Sequence, residues 1–319
     1  GDHRDLHLSI RRQRQMCIRD SHYDIGGDRG EKLYDIFLDT KHRLYSCAYW
    51  KENTKTLEEA QQNKIDHIVK KLDIQEGQKI LEVGCGWGGM AFEIAKQKKC
   101  EVTGISLSKN QIKYCQEKAK ELGLDNQVKF ELIDYREAKG HYDRIYSVGM
   151  FEHVGRKFYK TFFKTMNKLL KDDGLFLLHT IGVVDSPSPP NKFINKYIFP
   201  GGTCPSFSQI IYPIDKTGLI VSDTETLIRH YDKTLESWLE RFLDKKREVK
   251  DLFDEKFVKM WEFYMASCAA AFRYRDLVVF QLQIVKNFQS AHRTRDYICL
   301  LYTSPSPRDQ RGSRMPSSA

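Results

Sequence analysis

Three kinds of residue in this chain have the types and spacing for chemistry: clustered glycines, polar groups at the ends of apolar runs, and thiols among aromatics. The densest signal is LEVGCGWGG, residues 81–89. Gly84, Gly86 and Gly88 alternate there between a strand-like run and a helix-like one, and a missing β-carbon lets backbone pass close to a bound molecule. Such a loop serves a dinucleotide pyrophosphate or another nucleoside ligand, and it also occurs as a tight βα turn that binds nothing. MFEHVG (150–155) brings Glu152 and His153 together, either as a solvated loop pair or as an acid–base pair at a strand end. His179 stands inside the apolar run GLFLLHTIG, a place for a satisfied core histidine or for a site residue. YSCAYW (45–50) sets Cys47 among aromatics, as core filler, nucleophile or ligand. Cys268, in ASCAAAF, lies on an apolar helical face with no neighbouring base to activate a nucleophile. Tyr231, in HYDKTL, is a buried tyrosine or a hydroxyl donor.

The elements that must position these groups follow from hydrophobic period. Apolar runs of five to eight residues alternate with helical patterns, the signature of a parallel sheet made of βα units. KILEVG (79–84), CEVTGIS (100–106), VKFELI (128–133), DRIYSV (143–148), GLFLLHTIG (174–182) and LVVFQLQIVK (277–286) read as strands. Helices are predicted from Gly88 to Lys98, from a Ser108 cap to Leu122 where Gly123 stops it, over 156–171, over 232–249 and over 254–273. The stretch 156–171 carries Phe158, Phe162, Met166 and Leu169 at helical spacing and reads as a sheet-covering helix with its lysines outward. Between Val183 and about 217 lies a segment rich in Pro and Gly, long enough to cover a substrate.

Composition bounds the reading. A chain of 319 residues with 40% apolar content builds one large core, and its longest apolar run, about ten residues, is too short for a membrane span. Eight cysteines without a C-x-x-C pair read as reduced thiols in a cytoplasmic protein, with no metal site. Residues 1–21 and 291–319 carry Arg but no Lys, whereas the interior is rich in Lys. MCIRDS and CLLYTSPSPRD within them resemble translated sequencing-adapter read-through, so both ends are set aside as foreign flanks. The first flank holds five Arg against three Asp and the second five Arg against two Asp, which leaves the interior +4 of the net +9. That mild balance permits attraction to an anionic lipid surface and gives no argument for nucleic acid.

The G-x-G-x-G spacing, with Glu82 two residues before the first glycine, resembles motif I of the class I S-adenosylmethionine-dependent methyltransferases. Ten ordered motifs extend the likeness through nearly the whole interior: HYDIG (22–26), YSCAYW, TLEEAQQNKID (56–66), LEVGCGWGG, GISLSKNQ (104–111), SVGMFEHVG (147–155), LLHTIG (177–182), YIFPGG (197–202), HYDKTLESW (230–238) and FVKMWEFYMASCAAAFRYRDLVVFQL (257–282). Together they resemble the cyclopropane-fatty-acyl-phospholipid synthases and the related mycolic acid cyclopropane synthases.

That resemblance implies a mostly parallel, Rossmann-like sheet of seven strands flanked by helices. It implies a helical cover over 22–78, a methyltransferase core over 79–290 and an insertion at about 183–217. S-adenosylmethionine is the implied cosubstrate, held by Tyr45, Ser46, Glu82, Gly84, Cys85, Gly86, Gly88, Ser106, Leu107, Ser108, Gln111, Asp134 and Tyr135. GISLS lacks the acidic residue that grips the ribose in many such enzymes, and Ser106, Ser108 and Gln111 are its hydrogen-bonding replacements. The implied reaction places a methylene on a cis double bond of a membrane phospholipid acyl chain. It passes through a carbocation deprotonated by bicarbonate, which Cys47, Glu152, His179 and Tyr231 hold with backbone from Gly149 and Ile181. The resemblance also makes Cys268 a catalytic candidate with this set, although its own surroundings read as core or channel lining. NKFINKYIFPGG, where aromatics and Lys alternate, is the expected lipid contact, so the protein is placed at the inner face of the membrane, with a homodimer as a further partner state. A methyl-branched lipid product, a small amine acceptor and a non-catalytic binding module are the alternatives. GDRGEK (27–32) departs from the family pattern by about four residues, and the chain starts near the catalytic domain's first helix, without the extra N-terminal domain of many bacterial members.

Overall fold

The computed structural model describes residues 28–185, 189 and 191–299. HYDIG and the first flank lie outside the described residues, as does the second flank beyond residue 299. Seven strands form one sheet in the order β3-β2-β1-β4-β5-β7-β6. They are β1 (Lys79–Val83), β2 (Glu101–Ser106), β3 (Val128–Leu132), β4 (Tyr142–Val148), β5 (Leu170–Val183), β6 (Ile220–Leu227) and β7 (Leu277–Val285). The first five pair in parallel, while β7 runs antiparallel to both β5 and β6. Strand order reverses between β1 and β4, which opens a crevice at their carboxyl ends.

Helices fill both faces. On one face α2 (Leu57–Lys71), α3 (Gly89–Lys98) and α4 (Lys109–Glu121) bury Ile65, Ile94 and Ile112 against Ile80 and Val102. On the other, α5 (Tyr159–Leu169) and α6 (Phe207–Asp215) pack on Leu81, Ile145 and Phe280. Lys160, Lys164 and Lys168 of α5 point to solvent while Tyr159, Phe162, Phe163, Met166 and Leu169 are buried, as its spacing predicts. Thr56 closes a capping box with Glu59 at the start of α2, and Ser108 accepts from the Gln111 amide at the start of α4.

A third layer covers the crevice. It consists of α1 (Asp28–Phe37), the loop from Asp39 to Trp50, α7 (His230–Asp244), α8 (Lys246–Leu252) and α9 (Glu255–Tyr274), packed around Phe37, Trp238 and Trp261. The sequence GDRGEK enters the first turn of α1. The insertion contains a π-helical turn at Ile194–Ile198 as well as α6, so it is more regular than its Pro/Gly content predicts. Residues 291–299 include a short α10 (Asp296–Cys299), where Arg295 pairs with Asp223 of β6 and Tyr297 accepts from Gln283 at 2.8 Å. Among the described residues no helix is long and apolar enough to cross a membrane, and no cluster of His, Cys, Asp or Glu is placed to hold a metal ion.

Candidate active site

An open cleft of about 1080 Å³ lies at the β1/β4 switch point. Tyr45, Ser46, Glu82, Gly84, Cys85, Gly86, Ser106, Leu107, Ser108, Gln111, Tyr135 and Gly149 line it, so most of the predicted cofactor set converges there. Gly84, Gly86 and Gly88 all hold positive φ. Their roles differ, however. A β-carbon on Gly86 would meet nothing within 4 Å, whereas one on Gly84 would strike Met150 at 2.7 Å and one on Gly88 would strike Phe130 at 2.9 Å. Gly88 therefore serves packing rather than ligand approach, and it is not part of the cleft wall. Asp134 also departs from expectation, because its carboxylate takes the Arg136 guanidinium and its side chain does not line the cleft. Ser108 is committed to capping α4, and the Ser106 hydroxyl donates to Gln111 Oε1 at 3.0 Å.

Arg43, Trp87 and Met150 also line this cleft, although the sequence reading did not single them out. Arg43 stacks over the Trp87 ring at 4.1 Å and the Tyr114 ring at 4.7 Å. The cover loop owes its shape to Asp39. One carboxylate oxygen accepts from the amides of His42 (2.6 Å) and Arg43 (3.2 Å), and the other from Leu44 (2.7 Å). From α2, Gln61 donates to the carbonyls of Leu44 and Ser46 and Lys64 donates to Ser46 Oγ at 2.6 Å. Gln61 and Lys64 occupy the helical stripe otherwise filled by Leu57, Ala60, Ile65 and Ile68, and polar residues on an apolar stripe were the available signal.

The candidate reactive groups lie in the dry interior where the aromatic layer meets the end of β5. Cys47 points into the aromatic layer, and Tyr231 packs there against Trp238 and Phe272, with ring centroids 5.8 and 4.6 Å away. Tyr231 and Cys268 pack against the buried cluster that contains Cys47, and Ile181, whose amide donates to Glu152, packs against it as well. Tyr45 and Tyr264 join their hydroxyls at 2.8 Å on its border. His179 and Ile181 project from the same face of β5, and the Gln281 amide reaches His179 Nδ1 at 3.0 Å. With that amide as donor, the ring proton sits on Nε2. Burial first, then the nearby cations Lys64 and Lys71, hold the imidazole neutral.

Glu152 is 6% exposed; its Oε1 accepts from the Ile181 amide at 2.6 Å, and its Oε2 has no hydrogen-bond partner. The Gly149 amide donates to the His179 carbonyl. Both amides are thus spent within the protein, so backbone from Gly149 and Ile181 near a bound anion would not act through these N–H groups. Burial raises the Glu152 carboxyl from 4.5 to about 7 and the Glu82 carboxyl to about 8. Burial likewise raises the Cys47 thiol, and it pushes Cys268 up to about 12. Both remain thiols at neutral pH, which removes a nucleophilic thiolate.

The Glu152 shift has a measurable consequence. A carboxyl raised on folding favours the folded state below its unfolded pKa, and that contribution is lost as pH rises through about 7. Glu152→Gln, which cannot ionise, should therefore raise the thermal midpoint relative to the parent more at pH 8 than at pH 5. A difference independent of pH would show that Glu152 is ionised without penalty.

A family model described as mycolic acid cyclopropane synthetase matches residues 10–282. Cyclopropane-fatty-acyl-phospholipid synthase of Escherichia coli strain K12 is 40% identical over 282 residues, covering 88% of this chain and 71% of that protein. Two solved structures superpose closely. The cyclopropane synthase MmaA2 from Mycobacterium tuberculosis gives a TM-score of 0.79 at 32% identity over 84% of this chain and 97% of that one. The mycolic acid cyclopropane synthase CmaA1 complexed with SAH and CTAB gives 0.78 at 32% identity, with the same coverage.

Proposed function

This chain belongs to the mycolic acid cyclopropane synthetase family and is an S-adenosylmethionine-dependent methyltransferase, and on that premise we propose that it cyclopropanates the cis double bond of a membrane phospholipid acyl chain. The observation that carries this reading is Glu152: buried, its Oε2 unpartnered, and its Oε1 bonded to the amide of Ile181, which packs on the aromatic layer that holds Tyr231, Cys47 and Cys268.

The cleft suits the cofactor, since Glu82 offers a buried oxygen without a partner and Ser46, Gly86 and Tyr135 present polar and open surface. S-adenosylmethionine supplies an electrophilic methyl, and its addition to an alkene leaves a carbocation whose new methyl must lose a proton before the ring closes. The aromatic layer answers that chemistry. Tyr231, Trp238 and Phe272 exclude water and turn π faces that tolerate positive charge. A bicarbonate held by Glu152, His179, Tyr231 and Cys47 is the proposed proton acceptor. Glu152 Oε2 would take its hydrogen, while Tyr231 and His179 Nε2 would donate to it, joined by the Cys47 thiol once it turns from the Ala48 carbonyl to which it donates at 3.3 Å. An amine acceptor needs no such cluster.

Where the lipid is met, the outer face agrees with the reading. Phe193 and Phe263 meet edge-on at 4.8 Å; Tyr197 and Phe263 are more than half exposed, and Lys196 lies over the Tyr197 ring at 4.8 Å. Lys192, Lys256 and Lys259 are exposed around them, while Glu262 and Glu255 are paired with Lys246 and Lys250. Aromatics flanked by lysines suit the headgroup layer of an anionic bilayer. Phe193, Ile194 and Phe199 pack inward on the layer that Tyr231 and Cys268 also join, so this patch is continuous with that layer. Replacing Tyr197 and Phe263 with Ser should cut co-sedimentation with anionic phospholipid vesicles about tenfold and leave S-adenosylmethionine affinity intact. Undiminished sedimentation would place the contact elsewhere.

The function itself is tested by offering the protein S-adenosylmethionine with either vesicles of cis-monounsaturated phospholipid or small amines. Cofactor turnover is expected with the vesicles, and turnover confined to amines would reject the lipid reading.

A further inference from the structure

Lys64 is fully buried and does not line the cleft, and beyond helping to keep His179 neutral it takes no part in the chemistry described above. Its ammonium donates to Ser46 Oγ at 2.6 Å, and Ser46 does line the cleft. An ammonium has only donors, so Ser46 Oγ must accept from it and turn its own hydroxyl proton elsewhere. One turn earlier on α2, Gln61 fixes the Ser46 carbonyl at 3.1 Å, which leaves the side chain little freedom to swing away. The charged and titratable groups facing Lys64 are Asp39, Glu82 and Cys47. Asp39 spends its oxygens on three loop amides, and Glu82 reaches the cleft with an unpartnered oxygen. The cleft wall thus presents a cation-backed hydroxyl at Ser46, suited to a carboxylate, near the buried carboxyl of Glu82.

We propose that Lys64 is a positioning residue for S-adenosylmethionine, whose ammonium aims the Ser46 hydroxyl at the cofactor's carboxylate and supplies the countercharge from behind it. This rests on the reading of the cleft as the cofactor site. A buried ammonium is costly without a counterion, and the bound carboxylate adds one. Burial lowers the Lys64 pKa to about 8, so the group is a cation at neutral pH.

The test compares S-adenosylmethionine with decarboxylated S-adenosylmethionine, which lacks only the carboxylate, by calorimetric titration of the full chain. Lys64→Met should weaken the first about 10- to 100-fold and the second no more than about twofold, in line with loss of a charge-assisted contact. Lys64→Arg should recover part of the loss. Equal weakening of both ligands would reduce Lys64 to a structural support, and unchanged affinity for both would overturn the proposal, including where the variant instead needs more bicarbonate. Should Lys64→Met not fold, Ser46→Ala must show the same selectivity for the carboxylate or the proposal fails. If the parent protein binds neither ligand, it is the cofactor reading of the cleft that falls.

Discussion

Glu152→Gln should abolish ring formation, lowering turnover about 1000-fold or more, while S-adenosylmethionine binds within about threefold of the parent. The two readouts separate because Glu152 does not line the cleft wall. Glutamine can still accept from the Ile181 amide through its oxygen, so the local backbone keeps its bond. What changes is the other atom. An unpartnered carboxylate oxygen becomes an NH2 donor, which repels the O–H that a bicarbonate would direct toward it. Removing dissolved bicarbonate from the parent should reproduce the loss, and in the variant it should add nothing further. Turnover near the parent level in Glu152→Gln would end the proposed role.

Gly89→Ala should damage folding and cofactor binding together. Gly89 opens α3, and a β-carbon there would lie 1.8 Å from the His42 carbonyl oxygen. Neither side can yield easily, since Asp39 holds the His42 and Arg43 amides and the helix start is fixed by its own ladder. A destabilisation of at least about 3 kcal/mol is expected, beyond ordinary overpacking because backbone and not a side chain must move. The displaced loop carries Tyr45 and Ser46, so affinity for S-adenosylmethionine falls as well. Gly86→Ala is the contrasting variant: it meets nothing within 4 Å and keeps only the strain of its positive φ, about 1–2 kcal/mol. It should fold and bind poorly. An unshifted thermal midpoint in Gly89→Ala would contradict the close approach.

The parts of the fold that were legible in the sequence are those with strong apolar contrast. Six strands stand out as apolar runs, and Ser108, Gly123 and the α5 stripe mark helices where they occur. β6 was missed for a physical reason. IVSDTETL is an edge strand with one neighbour and half-exposed side chains along most of its length, so burial imposes no apolar run on it. The predicted helix 232–249 divides at Lys245 into α7 and α8 without a Gly or Pro to announce the break. Pro213 inside α6 reads as loop in a linear scan and as helix in the packed molecule.

The site shows the same division. The glycine loop, Cys47, Glu152, His179, Tyr231 and Cys268 were read from motifs; Cys47, Tyr231 and Cys268 meet at the aromatic layer, Glu152 bonds the Ile181 amide of β5, and His179 stands on β5 against Gln281. Arg43, Gln61 and Lys64 were not, because their roles arise only when α2 and the cover loop meet. Asp134 and Gly88 were assigned to the cofactor from position along the strand, whereas Arg136 and Phe130 claim them in three dimensions.

The most direct test of cyclopropanation uses S-adenosylmethionine labelled with a trideuterated methyl and vesicles of cis-monounsaturated phospholipid. Because ring closure requires loss of one proton from the transferred methyl, the acyl product should carry two deuteriums on a ring methylene and no alkene. A product that keeps all three deuteriums as a methyl branch, or label recovered only on amines, would contradict the account.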